Sequence, residues 1–544
     1  VLNTYTDNFP IGFTPSSGQV KLLNDIEKAF KSNKKIVVCC APTGSGKSFI
    51  AKTLANLSNK PSDEFVRLIE SYDAYKKEFD GGYSYGYECT QEPAFGTFAL
   101  TITKTLQDQY YNLFNDTSIL KGKTNYRCDI DDNFDTELAP CTFAPKLKDQ
   151  CWSVNRCHYY NARNQALLAP FAALNYKMFL SLPDHVKRKN FIVCDEASEL
   201  EDELIRQFSA EVVYEKLDNY NIKHTTLVTD NQQRALNWVT DLIITLNEEI
   251  EILSAKATNK SKPVALSNSE QIKYGYLKNL HRSLTSLVSL WDKGEYVVEI
   301  DSKHVLITPL RADFLTDSIF KFADKIVLLS ATIIDHKNFA KSLGIKDYEY
   351  IEIGSSFDAK KSPIYVSTTH KPNYKNLKNV LPGICEQIKQ ILEHHKNDKG
   401  IIHTHSFEIT EFVRNRVNSS RLLFRDTNTT NEDILKQHME TKDPTVLVSP
   451  SMVYGIDLKD DLARFQIIVK LPFLPLGSKR IKHLFDIDKE WYENKMLNAV
   501  VQAAGRSTRS KDDHSSTYIL DGNFFNVVTR SKNKLPKHFI ERIH

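Results

Sequence analysis

Short, nearly unbroken apolar runs alternate with helically spaced stretches along this chain, a pattern that predicts parallel sheets covered on both faces. KKIVVCC, from residue 34, reads as a buried strand, APTGSGK as a turn and SFIAKTLANL as a helix, half of a β-α-β repeat. TFALTIT at 97–103, FIVCDEA at 191–197 and IVLLSAT from 326 read as further strands of the same sheet. One α/β domain is therefore expected over 1–120, 160–200 and 315–340, interrupted twice. The first interruption, 121–165, carries clustered cysteines. The second, 201–314, has helical spacing, as in ALNWVTDLIITLNEEIEIL at 235–253, and is expected to be mostly helical. SPIYVS at 362–367, GIIHTHS at 400–406, TVLVSP at 445–450, FQIIVKLPF at 465–473 and STYILDG at 516–522 predict a second parallel-sheet domain over 341–544.

Length and composition agree with several folded units. A chain of 544 residues exceeds one ordinary core, and 41% apolar with 10% aromatic residues excludes a mainly disordered protein. The net charge of +3, from 71 basic and 68 acidic side chains, lends no bulk support to polyanion binding, so any such site must be local. Candidates are Lys479, Arg480 and Lys482, then Arg506, Arg509 and Lys511, and a tail with Arg530, Lys532, Lys534 and Lys537 that reads equally well as a solvated surface. VLNTYTDNFP lacks the basic-then-apolar pattern of a signal peptide, and no run of about twenty apolar residues occurs. A cytoplasmic protein with no membrane partner is expected.

The turn at 41–48 carries the first candidate chemistry. Ala41 stands where the general phosphate-loop pattern has glycine, and Pro42, Thr43, Gly44, Ser45, Gly46, Lys47 and Ser48 complete it. Gly44 and Gly46 let backbone amides face phosphate oxygens, and the following helix adds the positive end of its dipole. Lys47 is placed to bridge the terminal phosphates of ATP, and Ser48 to hold Mg²⁺. Asp195 and Glu196 end an apolar strand. Asp195 suits Mg²⁺, and Glu196 suits activation of the attacking water. The bland alternative is an acidic helix start, since Glu199, Glu201 and Asp202 follow. Gln502, Arg506 and Arg509, spaced four and three apart, share one helix face that can point across a cleft at phosphate.

With these motifs in place the chain resembles the superfamily 2 helicases of the XPD/DinG type. The resemblance rests on GQVKLL (18–23), APTGSGKS (41–48), TITKTLQDQY (101–110), DEAS (195–198), LLSATI (328–333), GSSFD (354–358), SPSMVYGIDL (449–458) and QAAGRSTRS (502–510), in the family's order. It implies two RecA-like lobes with Gln19 on the adenine side and 101–107 on the strand-gripping surface. Ser330, Ala331 and Thr332 are implied to couple hydrolysis to lobe movement, Gly455 and Asp457 to contact the nucleotide from the second lobe, and Gln502, Arg506 and Arg509 to face the γ-phosphate. Ser198 departs from the family's usual histidine, no arginine precedes the opening glutamine, and LDGN at 520–523 replaces the usual basic ending.

Cys128, Cys141, Cys151 and Cys157 crowd into the first interruption, whereas Cys39, Cys40, Cys194 and Cys385 sit in apolar runs and read as core packing. The clustered spacing lacks close CxxC-type pairs and by itself leaves an iron-sulfur cluster, a zinc site and no metal all open. The resemblance implies a [4Fe-4S] cluster on these four thiolates, and a mostly helical, arch-like second insert.

What the resemblance implies overall is an ATP-dependent DNA helicase that moves 5′ to 3′ on single-stranded DNA and opens forked duplex DNA, using ATP, Mg²⁺ and the cluster. An RNA–DNA hybrid is a further compatible partner. The alternative is a nucleic-acid-stimulated ATPase that remodels protein–DNA or R-loop-like complexes without processive unwinding. A monomer is expected, with protein partners left open.

Overall fold

The computed structural model describes residues 4–70, 94–129, 135–142, 157–257, 266–354, 358–425, 429–450, 460–505 and 513–544. Helix α1 (Ser17–Lys31) opens with a capping box between Ser16 and Gln19. Strand β1 (Ile36–Cys40) then leads through the phosphate loop into α2 (Lys47–Asn56). Strands β2 (Thr97–Thr101), β3 (Ser118–Leu120), β4 (Phe171–Asn175) and β5 (Lys189–Cys194) join the same sheet, with α3 (Lys104–Leu113) and α4 (His158–Leu168) between them. Helix α5 (Leu200–Gln207) follows the acidic motif.

The second interruption is more than a helical pair. Helices α6 (Gln232–Ala257) and α7 (Asn268–Ser289) stand on a three-stranded antiparallel sheet of β6 (Ala210–Val213), β7 (Tyr296–Ile300) and β8 (His304–Pro309), in the order β6-β8-β7. Its core packs Val239, Leu242 and Leu246 against Leu277, Leu284 and Ile307. Burial alternates at Tyr296 and Val298 in β7 and at Val305 and Ile307 in β8, but Val297 and Leu306 between them are apolar too, so the sequence shows no period-two signal.

Strands β9 (Ala323–Ser330) and β10 (Glu349–Glu352) return to the first sheet, which runs β10-β1-β9-β5-β2-β4-β3 with every pair parallel. That sheet therefore reaches residue 352, past the expected limit of 340. Val38 and Cys40 pack on one face while Val37 and Cys39 pack on the other, so a strand covered on both sides reads as one apolar run. Cys39, Cys40, Cys194 and Cys385 are all buried core residues, as expected.

The second sheet comprises β11 (Ile364–Val366), β12 (Gly400–His403), β13 (Leu422–Phe424), β14 (Val446–Ser449), β15 (Phe465–Ile468) and β16 (Ser516–Ile519), again all parallel. Its order is β11-β16-β15-β12-β14-β13. Helices α8 (Lys479–Ile487) and α9 (Lys489–Ala504) lie between β15 and β16 and carry the contacts to the first lobe.

Candidate nucleotide site at the lobe interface

The phosphate loop owes its shape to its glycines. Gly44 and Gly46 adopt φ of +76° and +75°, a region that L side chains rarely enter. A methyl group on Gly46 would lie 2.3 Å from Gln19 Nε2. Gln19 Nε2 donates to the Gly46 carbonyl at 3.3 Å, and its Oε1 accepts the Ser16 amide at 2.8 Å. The expected adenine-side glutamine thus ties the start of α1 to the phosphate loop. Ala41 N donates to Ser330 O at 2.8 Å, so the loop also leans on the end of β9.

Asp195 and Glu196 stand at the end of β5 beside this loop. Lys47 Nζ lies 3.7 Å from Glu196 Oε1. Glu196 adopts φ +50°, uncommon for a residue with a side chain and a form of backbone strain that clusters at functional sites. The Asp195 carboxylate is buried, with one donor on each oxygen: Glu196 N to Oδ1 at 3.0 Å and the Tyr110 hydroxyl to Oδ2 at 3.0 Å. Burial, followed by the charge of Glu196, pushes the Asp195 carboxyl up to about 6 against the opposing pull of Lys47 and Tyr110. The Tyr176 hydroxyl donates to the Asp195 carbonyl at 3.2 Å.

The second lobe meets this site through α9. Gln502 Nε2 donates to Ser198 Oγ at 3.1 Å and to Glu199 Oε1 at 3.3 Å, and Ser330 Oγ donates to Ser198 at 3.0 Å. Ser198, Ser330 and Gln502 therefore form one chain across the lobe boundary. A methyl on Gly505 would lie 3.6 Å from Thr43 Oγ1, which brings the end of α9 onto the phosphate loop. Arg506, Arg509, Gly455 and Asp457 lie outside the described residues, as do 355–357 of the GSSFD motif.

Beside that chain sits a buried ionic cluster. Glu201 accepts from Trp491 Nε1 at 2.9 and 3.0 Å and pairs with Lys495 Nζ at 2.9 Å, while Arg480 Nη2 lies 3.7 Å away. Asp202 also takes Lys495 Nζ at 2.9 Å. The acidic run after Asp195 is thus more than a solvated helix start. Arg480 is buried and donates to the Pro309 and Leu310 carbonyls, Lys479 pairs with Asp230 at 3.1 Å, and Lys482 pairs with Asp486. The basic patch read from the sequence at 479–482 is consequently engaged within the protein. In the tail, Arg530 pairs with Glu493 at 2.9 Å and Lys534 with Glu490.

Three of the clustered cysteines converge. Cys128 and Cys141 are buried, Cys157 is partly buried at the start of α4, and all three line one small cavity with Thr136, Tyr159 and Tyr160. Burial pushes the Cys157 thiol up, with Cys128 close enough to add to the effect. Tyr126, Tyr159 and Tyr160 pack edge to face, which favours packing over base stacking for these rings. His158 pairs with Asp129 at 3.2 Å. Cys151 lies outside the described residues. Among the described residues, no three His, Cys, Asp or Glu side chains are grouped as for a single metal ion. Leu138 reaches the arch: a methyl on Gly275 of α7 would lie 2.5 Å from its Cδ2.

One expected assignment changes. Gln107, placed by resemblance in the strand-gripping segment, is fully buried, and its Nε2 donates to the Leu120 and Ala173 carbonyls at 3.0 and 3.1 Å. It pins α3 to β3 and β4. Lys104 and Thr105, at the start of α3, are exposed.

Comparison with known proteins agrees with this architecture. A solved structure of an XPD helicase matches with a TM-score of 0.61 at 18% identity, covering 95% of this chain and 98% of that one. An XPD structure in its apo form matches at 0.55 with 18% identity, covering 94% and 98%. Xpd4 of S. tokodaii matches at 0.53 with 15% identity, covering 97% and 99%. The fold is that of these XPD structures. Residues 388–542 match the family of the helicase C-terminal domain, so the second lobe of this XPD-type fold is recognisable in sequence as well. A 115-residue stretch is 32% identical to the ATP-dependent DNA helicase CHL1 of Candida albicans; it covers 18% of this chain and only 13% of that relative's length. Glu199 and Tyr176 carry no motif signal, and Tyr110 closes the 101–110 motif with nothing there to mark it as a partner of Asp195. Tyr110 follows Gln107 by three positions and so shares its inward helix face, which is the pattern that could have flagged it.

Proposed function

We propose that this chain is an ATP-dependent DNA helicase that couples Mg-ATP hydrolysis to 5′-to-3′ movement on single-stranded DNA and to opening of forked duplexes. The observation that carries this reading is the approach of α9 to the phosphate loop, with Gln502 on Ser198 and Gly505 beside Thr43. Two lobes that meet at one phosphate-binding turn are what a closing motor requires, because charge on both sides of a cleft can follow the γ-phosphate.

In this reading a triphosphate competes with Glu196 for Lys47, and Glu196, released from that ion pair, turns to the attacking water. Ser48 and Asp195 would hold magnesium, which when bound neutralises phosphate charge as the bond breaks. The site fits such a ligand: Ser45 Oγ, Thr332 Oγ1 and Gln502 Oε1 are buried with no hydrogen-bond partner among the described residues. Arg506 and Arg509 are proposed to complete the far side. Gly455 and Asp457 are proposed as second-lobe nucleotide contacts.

Cys128, Cys141, Cys151 and Cys157 are proposed to hold a [4Fe-4S] cluster. Three thiols around one cavity fit a thiolate-bound group, and the small core of Cys128, Ala139 and Cys141 has little apolar material to stabilise the insert by itself. When bound, the cluster would act as that insert's core. The contact of Leu138 with Gly275 joins the insert to the arch, which suits a closed passage for one strand.

Forked substrates with opposite single-stranded arms test the proposal. ATP-dependent separation of the fork with a 5′ arm, and none with a 3′ arm, is the expected result. ATP hydrolysis that is stimulated by single-stranded DNA without strand separation on either fork would overturn the unwinding activity.

A further inference from the structure

Tyr110 joins two parts of the molecule that the motifs leave separate. It lies on α3, which starts at the exposed Lys104 and Thr105 and is fastened to β3 and β4 by Gln107. At the inner side of the helix the Tyr110 ring is 1% exposed and packs edge to face on Phe171, with centroids 5.8 Å apart. Its hydroxyl donates to Asp195 Oδ2 at 3.0 Å, and the Ser48 side chain adjoins the Tyr110 hydroxyl itself. The two side chains proposed to hold magnesium thus share one phenol.

The geometry favours a task beyond filling space. Ring packing alone would be met by phenylalanine, which avoids burying a hydroxyl that needs a partner. The hydroxyl instead takes one oxygen of a carboxylate whose other oxygen is held by the Glu196 amide. Two donors, one per oxygen, fix the plane of a buried carboxylate and keep it from turning toward Lys47.

We propose that Tyr110 is a positioning residue: its hydroxyl holds Asp195 and Ser48 in the orientation that receives the magnesium of Mg-nucleotide, and α3 fixes where that hydroxyl stands. The inference rests on the ATPase reading above and extends it to a residue outside the phosphate-loop and acidic motifs. Tyr110 acts through Asp195 and touches no phosphate.

The test compares wild type, Tyr110→Phe and Tyr110→Leu by binding of a fluorescent ADP analogue, in excess Mg²⁺ and in EDTA. Thermal unfolding is measured in parallel. Wild type is expected to bind more tightly with Mg²⁺ than in EDTA. Tyr110→Phe should keep the thermal midpoint and the EDTA affinity but lose about tenfold of the Mg²⁺-dependent gain, the scale of one hydrogen bond to a charged group. Tyr110→Leu should lose the same gain and also unfold at lower temperature. An unchanged Mg²⁺ gain in Tyr110→Phe overturns the positioning role while leaving the ATPase reading intact. Equal weakening of Tyr110→Phe with and without Mg²⁺ overturns it in favour of a general structural role. A wild type with no Mg²⁺-dependent binding overturns the nucleotide reading itself, and this inference with it.

Discussion

Gln502 Nε2 donates to Ser198 Oγ across the lobe boundary at 3.1 Å, and Ser198 accepts a second bond from Ser330 at 3.0 Å. A serine thus stands at the junction of three motif residues, at a position where a histidine would be longer and titratable. The short side chain suffices because Ser330 and Gln502 both come to it.

Ser198→Ala removes the acceptor at that junction, leaving Gln502 Nε2 only its longer bond to Glu199 and Ser330 Oγ only its longer bond to the Thr332 carbonyl. ATP turnover in the presence of single-stranded DNA is expected to fall roughly tenfold, the equivalent of about 1.4 kcal/mol in the barrier. ATP affinity should change far less, and steady-state kinetics on the purified variant measures the split between kcat and KM.

Glu201→Ala leaves Lys495 without one of its two carboxylates and the Trp491 indole N–H without an acceptor, in a cluster where Glu201 and Arg480 are nearly fully buried. Breaking a buried pair by deleting one partner costs about 3–5 kcal/mol. Chemical denaturation should show that loss, with a larger effect than Lys482→Ala, whose ion pair with Asp486 is exposed.

Glu199 gives a pH signature. Burial first, then the charge of Asp202, pushes its carboxyl from an ordinary 4.5 up to about 7, against Lys495 and the bond from Gln502. The folded protein therefore holds a proton there that the unfolded chain releases. The stabilising contribution is full below the unfolded value, falls as pH rises from 4.5 toward about 7, and is absent above it. Glu199→Gln removes this fall. Relative to wild type, the variant should gain stability between about pH 5 and pH 8 by on the order of 1 kcal/mol or more, read from denaturation midpoints across that range.

The clustered cysteines make an analytical prediction. Anaerobically purified protein should carry about four iron and four sulfide per chain, and Cys128→Ser, Cys141→Ser or Cys157→Ser should each lose most of both. The ATP site lies in a separate part of the lobe, so nucleotide binding should persist in these variants at reduced thermal stability.

The sheets and the phosphate loop were readable because their signals are local. Val37 to Cys40 are apolar without interruption, and Gly44 and Gly46 mark the turn that follows. The left-handed backbone of Glu196 left no such trace, since nothing in its side chain requires it. Gln19 was readable as a motif, but its capping bond with Ser16 and its bond to Gly46 depend on how α1 docks. The cluster of Glu201, Asp202, Arg480, Trp491 and Lys495 was hidden for another reason. Its partners lie up to 293 positions apart, so Glu201 and Asp202 read as an acidic helix start and Arg480 as part of a basic patch, with nothing local to join them. The antiparallel sheet beneath the arch was hidden because Val297 and Leu306 place apolar side chains between its buried positions, which erases the period-two signal.

Both lobes are proposed to act on one triphosphate bound at Lys47. The most direct measurement is ATP hydrolysis by wild type and Lys47→Ala, each with and without single-stranded DNA. Wild type should hydrolyse ATP and accelerate when the polynucleotide is added, and Lys47→Ala should fall to background in both conditions while remaining folded. Turnover in Lys47→Ala equal to that of wild type would rule out hydrolysis at this site.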